Sequence, residues 1–154
     1  MTNKRKKKSV EKDKMDESGK ASSVEDSLKE KIEKAADGLY YISETDADIL
    51  PFIGDKAEAV SQEEILKQTH KEPDAPVEER DFSEFFERLT KIQDWFEEEE
   101  LELAKKFSEL KSLLEENLTD LKVFKIGQIN IDIYVVGIDQ EGVLMGVKTQ
   151  AVET

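Results

Sequence analysis

The fold of this chain is decided by residues 123–152, which read VFKIGQINIDIYVVGIDQEGVLMGVKTQAV. The middle of this stretch alternates apolar side chains with Asn130, Asp132 and Tyr134, which predicts a strand with one packed face made of Ile129, Ile131, Ile133 and Val135. Gly127-Gln128 separates that strand from the apolar run at 123–126 and favours a type II′ hairpin turn. Asp139–Gly142 supplies the next turn. We therefore predict an antiparallel meander whose last strand spans Val143–Val152.

Four helical segments are predicted ahead of this meander. Ser22 and Glu25 have the spacing of a capping box and open the first helix, which ends at Gly38. Ser61 opens the second helix, which runs towards His70. The third and fourth are indicated by apolar residues at helical spacing: Phe82, Phe85, Phe86 and Leu89, then Leu103, Phe107, Leu110, Leu114 and Leu118 within a helix from about Phe96 to Asn117.

The connecting segments carry short apolar runs or prolines. Leu39–Ile42 has the composition of a strand, Ser43–Pro51 is predicted to be an acidic loop, and 51–54 to be a short extended piece. Pro73 and Pro76 predict an irregular link. Helices packed on a small antiparallel sheet give the α+β class, in one domain over residues 23–154.

Charge is distributed unevenly along the chain. The formal net charge is −14, yet residues 1–20 hold eight Lys or Arg against four acids and are net +4, which leaves −18 on residues 21–154. Residues 1–22 contain few apolar side chains and cannot bury enough surface to offset ordering. We predict a disordered basic tail there, and its Lys4–Lys8 run is open to three interpretations: a solubilising tail, a polyanion-binding arm or a nuclear import signal.

Composition excludes several classes of protein. There is no cysteine and one histidine, His70, so disulfide scaffolds, Cys-ligated zinc, thiol catalysis and two-histidine metal sites are excluded. No apolar run approaches the roughly 20 residues of a membrane helix, and no apolar stretch follows the N-terminal lysines as in a secretory signal. No serine nucleophile motif or phosphate-binding glycine loop is present. We expect a soluble cytoplasmic protein that is not an enzyme and takes no cofactor.

The acidic body constrains the partner. Nucleic-acid binding requires cations that replace phosphate counterions, so we expect no direct binding of nucleic acid by the body, and none of membranes. Negative charge favours encounter with a basic protein instead. An acidic surface can also stand in for nucleic acid at a basic cleft.

Seven segments of the chain, in their order, resemble one protein family. The segments are Gly38-Leu39, Ile42-Ser43-Glu44-x-Asp46, Pro51-Phe52, Pro76–Asp81 with Phe85-Phe86, Lys122–Phe124, Ile129–Gly137 and the ending Val152-Glu153-Thr154. Together they are similar to the nuclease A inhibitor family, small acidic proteins that block sugar-nonspecific nucleases of the ββα-metal type. The resemblance covers about residues 28–154, which leaves only the basic tail outside it.

The resemblance implies an α-β-α sandwich that plugs the active-site cleft of a sugar-nonspecific nuclease in a one-to-one complex. Thr154, with Glu153 beside it, would approach the catalytic Mg²⁺ of the nuclease. Glu44 would meet basic catalytic residues. Asp94 and Trp95 would add an acidic contact beside an aromatic anchor. No metal site of the chain's own is implied.

The segment 43–51 departs from the family pattern, because it reads SETDADILP where a shorter Ser-Glu-x-acid-x-Pro form is expected. Asp46 and Asp48 therefore remain alternatives to Glu44.

Two functions follow from the sequence as a whole. The first is inhibition of a sugar-nonspecific DNA/RNA endonuclease, and the alternative is an acidic protein-interaction module with the same fold and a different basic partner.

Overall fold

The computed structural model describes residues 20–153, and their side chains from residue 27 onwards. Thr154 and the predicted tail up to residue 19 lie outside the described residues. The chain divides into two compact units, Met1–Glu30 and Lys31–Thr154. The described part of the first unit is the beginning of helix α1, Lys20–Ala36. This helix begins before Ser22, so Ser22 lies inside it rather than at its start.

Eleven elements are present among the described residues. After α1 the helices are α2 (Gln62–Gln68), α3 (Phe82–Thr90) and α4 (Glu98–Asn117). The strands are β1 (Tyr40–Ile42), β2 (Asp46–Asp48), β3 (Leu50–Lys56), β4 (Val77–Arg80), β5 (Thr119–Ile126), β6 (Asn130–Ile138) and β7 (Val143–Val152). Ser61 caps α2 by accepting from the Glu64 amide at 3.1 Å, as its sequence predicts. None of the described helices is long and apolar enough to cross a membrane.

The second unit is built on an antiparallel five-stranded sheet in the order β3-β7-β6-β5-β4. The predicted meander is confirmed as β5, β6 and β7, and β7 has the predicted bounds. Asp139 fixes the turn before β7, because its carboxylate accepts from the amides of Glu141 and Val143 at 2.8 and 2.9 Å. Gly142 adopts a φ of +84° there. A small separate hairpin pairs β1 with β2.

Helices cover both faces of this sheet. Ile65 and Leu66 of α2 pack in one cluster with residues from one face, among them Phe124, Tyr134 and Leu144. The opposite face turns Ile133, Val135 and Val147 towards Phe86 of α3 and towards Phe107 and Leu110 of α4, around a small cavity of about 10 Å³. Alternate residues of a strand point to opposite faces, so β6 supplies both clusters. The α+β class is confirmed, with a helix–sheet–helix layering.

The β5–β6 turn differs from the prediction. Ile126 pairs with Asp132 rather than with Ile129, so the loop is longer than a two-residue type II′ turn. Gly127 has a φ of +117°, and a Cβ there would lie 2.4 Å from the Asn130 carbonyl oxygen. The longer loop carries Ile129 out of the packed row, and its side chain is 55% exposed. Its predicted packing is therefore wrong, while Ile131, Ile133 and Val135 are buried as predicted.

Two further strands differ from the prediction. Residues 46–48 pair with β1, although the sequence predicts a loop there. Residues 77–80, predicted to be part of an irregular link, form an edge strand against β5. Both strands are short and rich in charged residues, so neither carries an apolar period. The predicted start of α4 at Phe96 is also early, because the helix begins at Glu98.

Candidate functional site

The turn between β1 and β2 is fastened to the end of β7. The Val152 amide donates to the Ser43 hydroxyl oxygen at 3.0 Å, and the Val152 carbonyl accepts from the Glu44 amide at 3.3 Å. The same Ser43 hydroxyl donates to the Thr45 carbonyl at 3.1 Å. The turn therefore occupies both backbone polar groups of Val152, which positions the Glu44 backbone beside the end of the strand.

Glu153, which follows β7, is held from the other side. Its amide donates to the Ile129 carbonyl at 3.0 Å, and its carboxylate pairs with the Lys125 ammonium at 2.9 Å. The Lys125 side chain is 13% exposed and that of Glu153 is 43% exposed. Successive residues of an extended strand direct their amides to opposite edges. Glu44 and Ile129 therefore lie on opposite sides of this strand end.

The Asp94–Trp95 pair lies in the segment between α3 and α4. Trp95 is 68% exposed, and its ring meets Phe96 edge to face with centroids 4.7 Å apart. Capping of α4 does not fall to Asp94, since the N-cap is Glu97, whose amide donates to the Glu100 carboxylate at 3.0 Å. The structure assigns the capping role to Glu97. A large indole is thus presented to solvent next to a carboxylate that the helix start does not require.

The β1–β2 turn and the Asp94–Trp95 segment are connected indirectly. The Tyr40 hydroxyl of β1 donates to the Glu99 carboxylate in the first turn of α4 at 3.3 Å. Desolvation and the neighbouring Glu99 carboxylate raise the pKa of the Tyr40 hydroxyl above its usual value. Tyr41 stacks on Phe85 of α3, with ring centroids 5.9 Å apart. The hairpin therefore contacts the helices on either side of the segment that carries Trp95.

A groove of about 790 Å³ adjoins the β1–β2 turn. Asp46 and Asp48 line it from β2, and Asp132 lines it from β6. Asp132 is already paired with the Lys71 ammonium at 2.5 Å and accepts from the Gln150 amide at 3.2 Å. Asp46 and Asp48 lie beyond Glu44 on the same hairpin, so the acidic character of the turn extends along β2.

The predicted site residues fall into three groups. Glu44 and Glu153 are brought together at the end of β7. Asp94 and Trp95 form a separate exposed segment before α4. Thr154 lies outside the described residues, although it follows Glu153 directly in the sequence.

Sequence reasoning assigned no role to two residues that build this site. Ser43 is part of the family motif, but its bond to Val152 joins residues more than 100 positions apart. Lys125 reads as one polar residue in an apolar strand, and Glu153 emerges as its partner only in the folded sheet, where its carboxylate lies 2.9 Å from the Lys125 ammonium. The one available signal was the position of Lys125 within the buried run 123–126.

His, Asp and Glu side chains form no candidate metal-ligand cluster among the described residues. Within residues 20–153, no group of three or more His, Asp or Glu side chains is placed to hold a metal ion. His70 is exposed and has a φ of +60°, and its amide donates to the Lys67 carbonyl at the end of α2. What the structure offers is a surface of exposed acidic and aromatic side chains.

Comparison with known proteins agrees with this description. The family model described as nuclease A inhibitor-like protein matches residues 26–154. No curated protein matches the chain. The family match spans β1 to β7 and the positions of all five predicted site residues, so the resemblance noted in the sequence is confirmed. The chain therefore belongs to the nuclease A inhibitor-like family.

Proposed function

We propose that this protein inhibits a sugar-nonspecific DNA/RNA endonuclease by filling its active-site cleft in a one-to-one complex. Membership of the nuclease A inhibitor-like family supports a nuclease as the partner. The observation that carries the proposal is the fastening of Glu44 beside Glu153 at the end of β7. The protein itself performs no reaction.

The end of β7, with Glu44 beside it and Glu153 after it, is called the acidic strand end. It suits a cleft that holds phosphate and a metal ion. Such a cleft is lined by cations, and a carboxylate placed among them replaces the charge of the substrate phosphate. In the complex, Glu44 meets basic groups of the nuclease, with Asp46 and Asp48 beside it on the hairpin. Thr154, which follows Glu153 directly, approaches the Mg²⁺ of the nuclease, as the resemblance to the inhibitor family implies.

Trp95 is the aromatic anchor of this proposal. Interfaces take much of their affinity from a few aromatic side chains that become buried on binding. An indole that is 68% exposed in the free protein has most of its surface left to bury. Asp94 adds an acidic contact to the same segment.

The direct test is a titration of a ββα-metal nuclease at fixed Mg²⁺ concentration. We expect cleavage of DNA and of RNA to fall together and to reach an endpoint at one equivalent of inhibitor. Ribonuclease and deoxyribonuclease activities share one cleft, so an effect on one substrate alone would contradict occlusion. Lack of inhibition at large excess would favour the alternative, an acidic module with another basic partner.

Deletion of Thr154 tests the contact with the metal-containing centre. We expect the shortened chain to inhibit far more than 10-fold more weakly, while its thermal unfolding stays unchanged, because the deletion leaves all of β7 in place. Thr154→Ser provides the matched control, since it keeps the chain length and the hydroxyl. Equal inhibition by the deletion variant and the control would exclude Thr154 from the contact.

A further inference from the structure

Two exposed isoleucines bracket the acidic strand end. Ile42 is 61% exposed and precedes Ser43, which binds Val152. Ile129 is 55% exposed, and its carbonyl accepts from the Glu153 amide. These hydrogen bonds place one isoleucine at each edge of the end of β7. Single exposed apolar residues are common on protein surfaces, but here two of them flank the same short acidic segment.

Neither isoleucine is exposed by the needs of a regular strand. Ile42 ends β1 opposite Asp46, a position that a polar residue fills equally well. Ile129 lies in the β5–β6 loop, beyond the last residue pair that joins these two strands. These apolar side chains expose surface to water in the free protein. Binding of a partner that covers this surface is therefore favourable.

The chemistry between the isoleucines indicates which partner covers them. The backbones of Glu44 and Glu153 lie between them, because the Glu44 amide donates to the Val152 carbonyl and the Glu153 amide to the Ile129 carbonyl. Residues 21–154 carry a net charge of −18. A basic surface is therefore attracted and an acidic one is repelled. Charge pairs add more to affinity when neighbouring contacts exclude water from them. Contacts of a partner with Ile42 and Ile129, at the two edges of this strand end, would exclude that water.

We propose that Ile42 and Ile129 form the apolar rim of the inhibitory contact and bind apolar side chains at the two lips of the nuclease's basic cleft. This inference rests on the proposed function and adds to it the apolar character of the cleft rim. The rim excludes water from Glu44 and Glu153 once the complex has formed. It therefore slows dissociation of the complex and has little effect on the rate of encounter.

The test measures inhibition by Ile42→Ser and Ile129→Ser variants against the same nuclease as the wild-type chain. We expect each variant to raise the inhibition constant about 10-fold, mainly through faster dissociation. Ile42→Val and Ile129→Val keep an apolar side chain and should stay within about fourfold of wild type, the factor that corresponds to one methylene removed from water. Leu101→Ser is the control for loss of an exposed apolar side chain outside the end of β7, because Leu101 is exposed on α4 beside the exposed residues Lys105 and Ser108.

The outcomes separate this inference from the proposed function. Unchanged inhibition by both serine variants, with a fully inhibitory wild-type chain, would overturn the apolar rim and leave the inhibitor function intact. A wild-type chain that fails to inhibit any ββα-metal nuclease would overturn both. Thermal unfolding of each variant confirms that it is folded, and the valine variants report on the rim if a serine variant is unstable.

Discussion

At the scale of single residues, Ser43 links two parts of the candidate site. Its hydroxyl joins the β1–β2 turn to Val152 and also closes the turn on Thr45. Ser43→Ala removes these bonds and leaves the Val152 amide without its partner, at a cost of about 1–2 kcal/mol in the free energy of unfolding. Because the turn that positions Glu44 then loses one of its two bonds to Val152, we expect inhibition of the nuclease to weaken about 10-fold.

Ser61→Ala is the matched control for this prediction. Ser61 caps α2, and its loss also costs about 1 kcal/mol of stability. The two variants can therefore be compared at similar stability by urea unfolding and by inhibition titration. If Ser61→Ala weakened inhibition as much as Ser43→Ala, the effect would reflect stability alone and not the position of Glu44.

Substitution of Trp95 tests binding with little effect on stability, since most of its side chain is already exposed to water. Trp95→Ala should change the free energy of unfolding by no more than about 0.5 kcal/mol. The inhibition constant should rise roughly 30-fold or more, because a buried aromatic anchor contributes about 2–4 kcal/mol to an interface. Leu101→Ala removes another exposed apolar side chain and should leave inhibition unchanged. A Trp95→Ala variant with wild-type inhibition would remove this segment from the contact surface.

At the scale of elements, the end of β7 depends on a lysine from β5. Lys125→Met deletes the ammonium that pairs with Glu153 and keeps an unbranched side chain in a nearly buried position. The pair is partly exposed, so the loss in stability is about 1 kcal/mol or less. We expect the larger effect in hydrogen exchange, where the Glu153 amide should exchange faster once its carboxylate is released.

Lys111→Met provides the comparison for this variant. Lys111 pairs with Glu115 on the surface of α4 at 3.2 Å, so both variants lose one positive charge and one ion pair. Only Lys125→Met should affect the Glu153 amide. Equal exchange of that amide in the two variants would show that backbone pairing with Ile129 alone holds the strand end.

The same elements show how far the sequence predicts the fold and the site. The meander was predictable because apolar residues alternate over β6 and because Asp139–Gly142 has turn chemistry. Strands β2 and β4 were not, because each is stabilised by a partner strand rather than by its own pattern. Ile129 was misassigned because register depends on the loop, and the loop length follows from packing that a local pattern does not encode.

The site shows the same division between local and long-range information. Short motifs predict Glu44, Asp94 and Trp95 as site residues. All three are exposed, Glu44 in the β1–β2 turn and the other two in the segment before α4. The roles of Ser43 and Lys125 arise from hydrogen bonds across strands that are far apart in sequence. Motifs therefore identified residues that could touch a partner, and only the tertiary structure identified the residues that position them.

At the scale of the whole molecule, charge governs the encounter with a basic partner. Residues 21–154 carry a net charge of −18. Long-range attraction between this charge and a basic partner is screened by salt, with a Debye length of about 8–10 Å at 0.1–0.15 M. We expect the association rate with the nuclease to fall about 10-fold between 20 mM and 300 mM salt. The dissociation rate should change much less, and stopped-flow measurements at several salt concentrations separate the two. A salt-independent association rate would contradict steering.

Removal of residues 1–19 gives a second measurement of how net charge affects the association rate. These residues contribute seven Lys or Arg and four acids, so a chain beginning at Lys20 carries a net charge of −17 instead of −14. The family match begins at residue 26, so the proposed contact surface is retained in full. Steering by net charge then predicts an association rate at low salt equal to or moderately above that of the full chain, and the two rates should converge at 300 mM salt. A more than 10-fold loss of inhibition on truncation would mean that the basic segment itself binds the nuclease, and in that case the charge of the body could not be the main source of attraction.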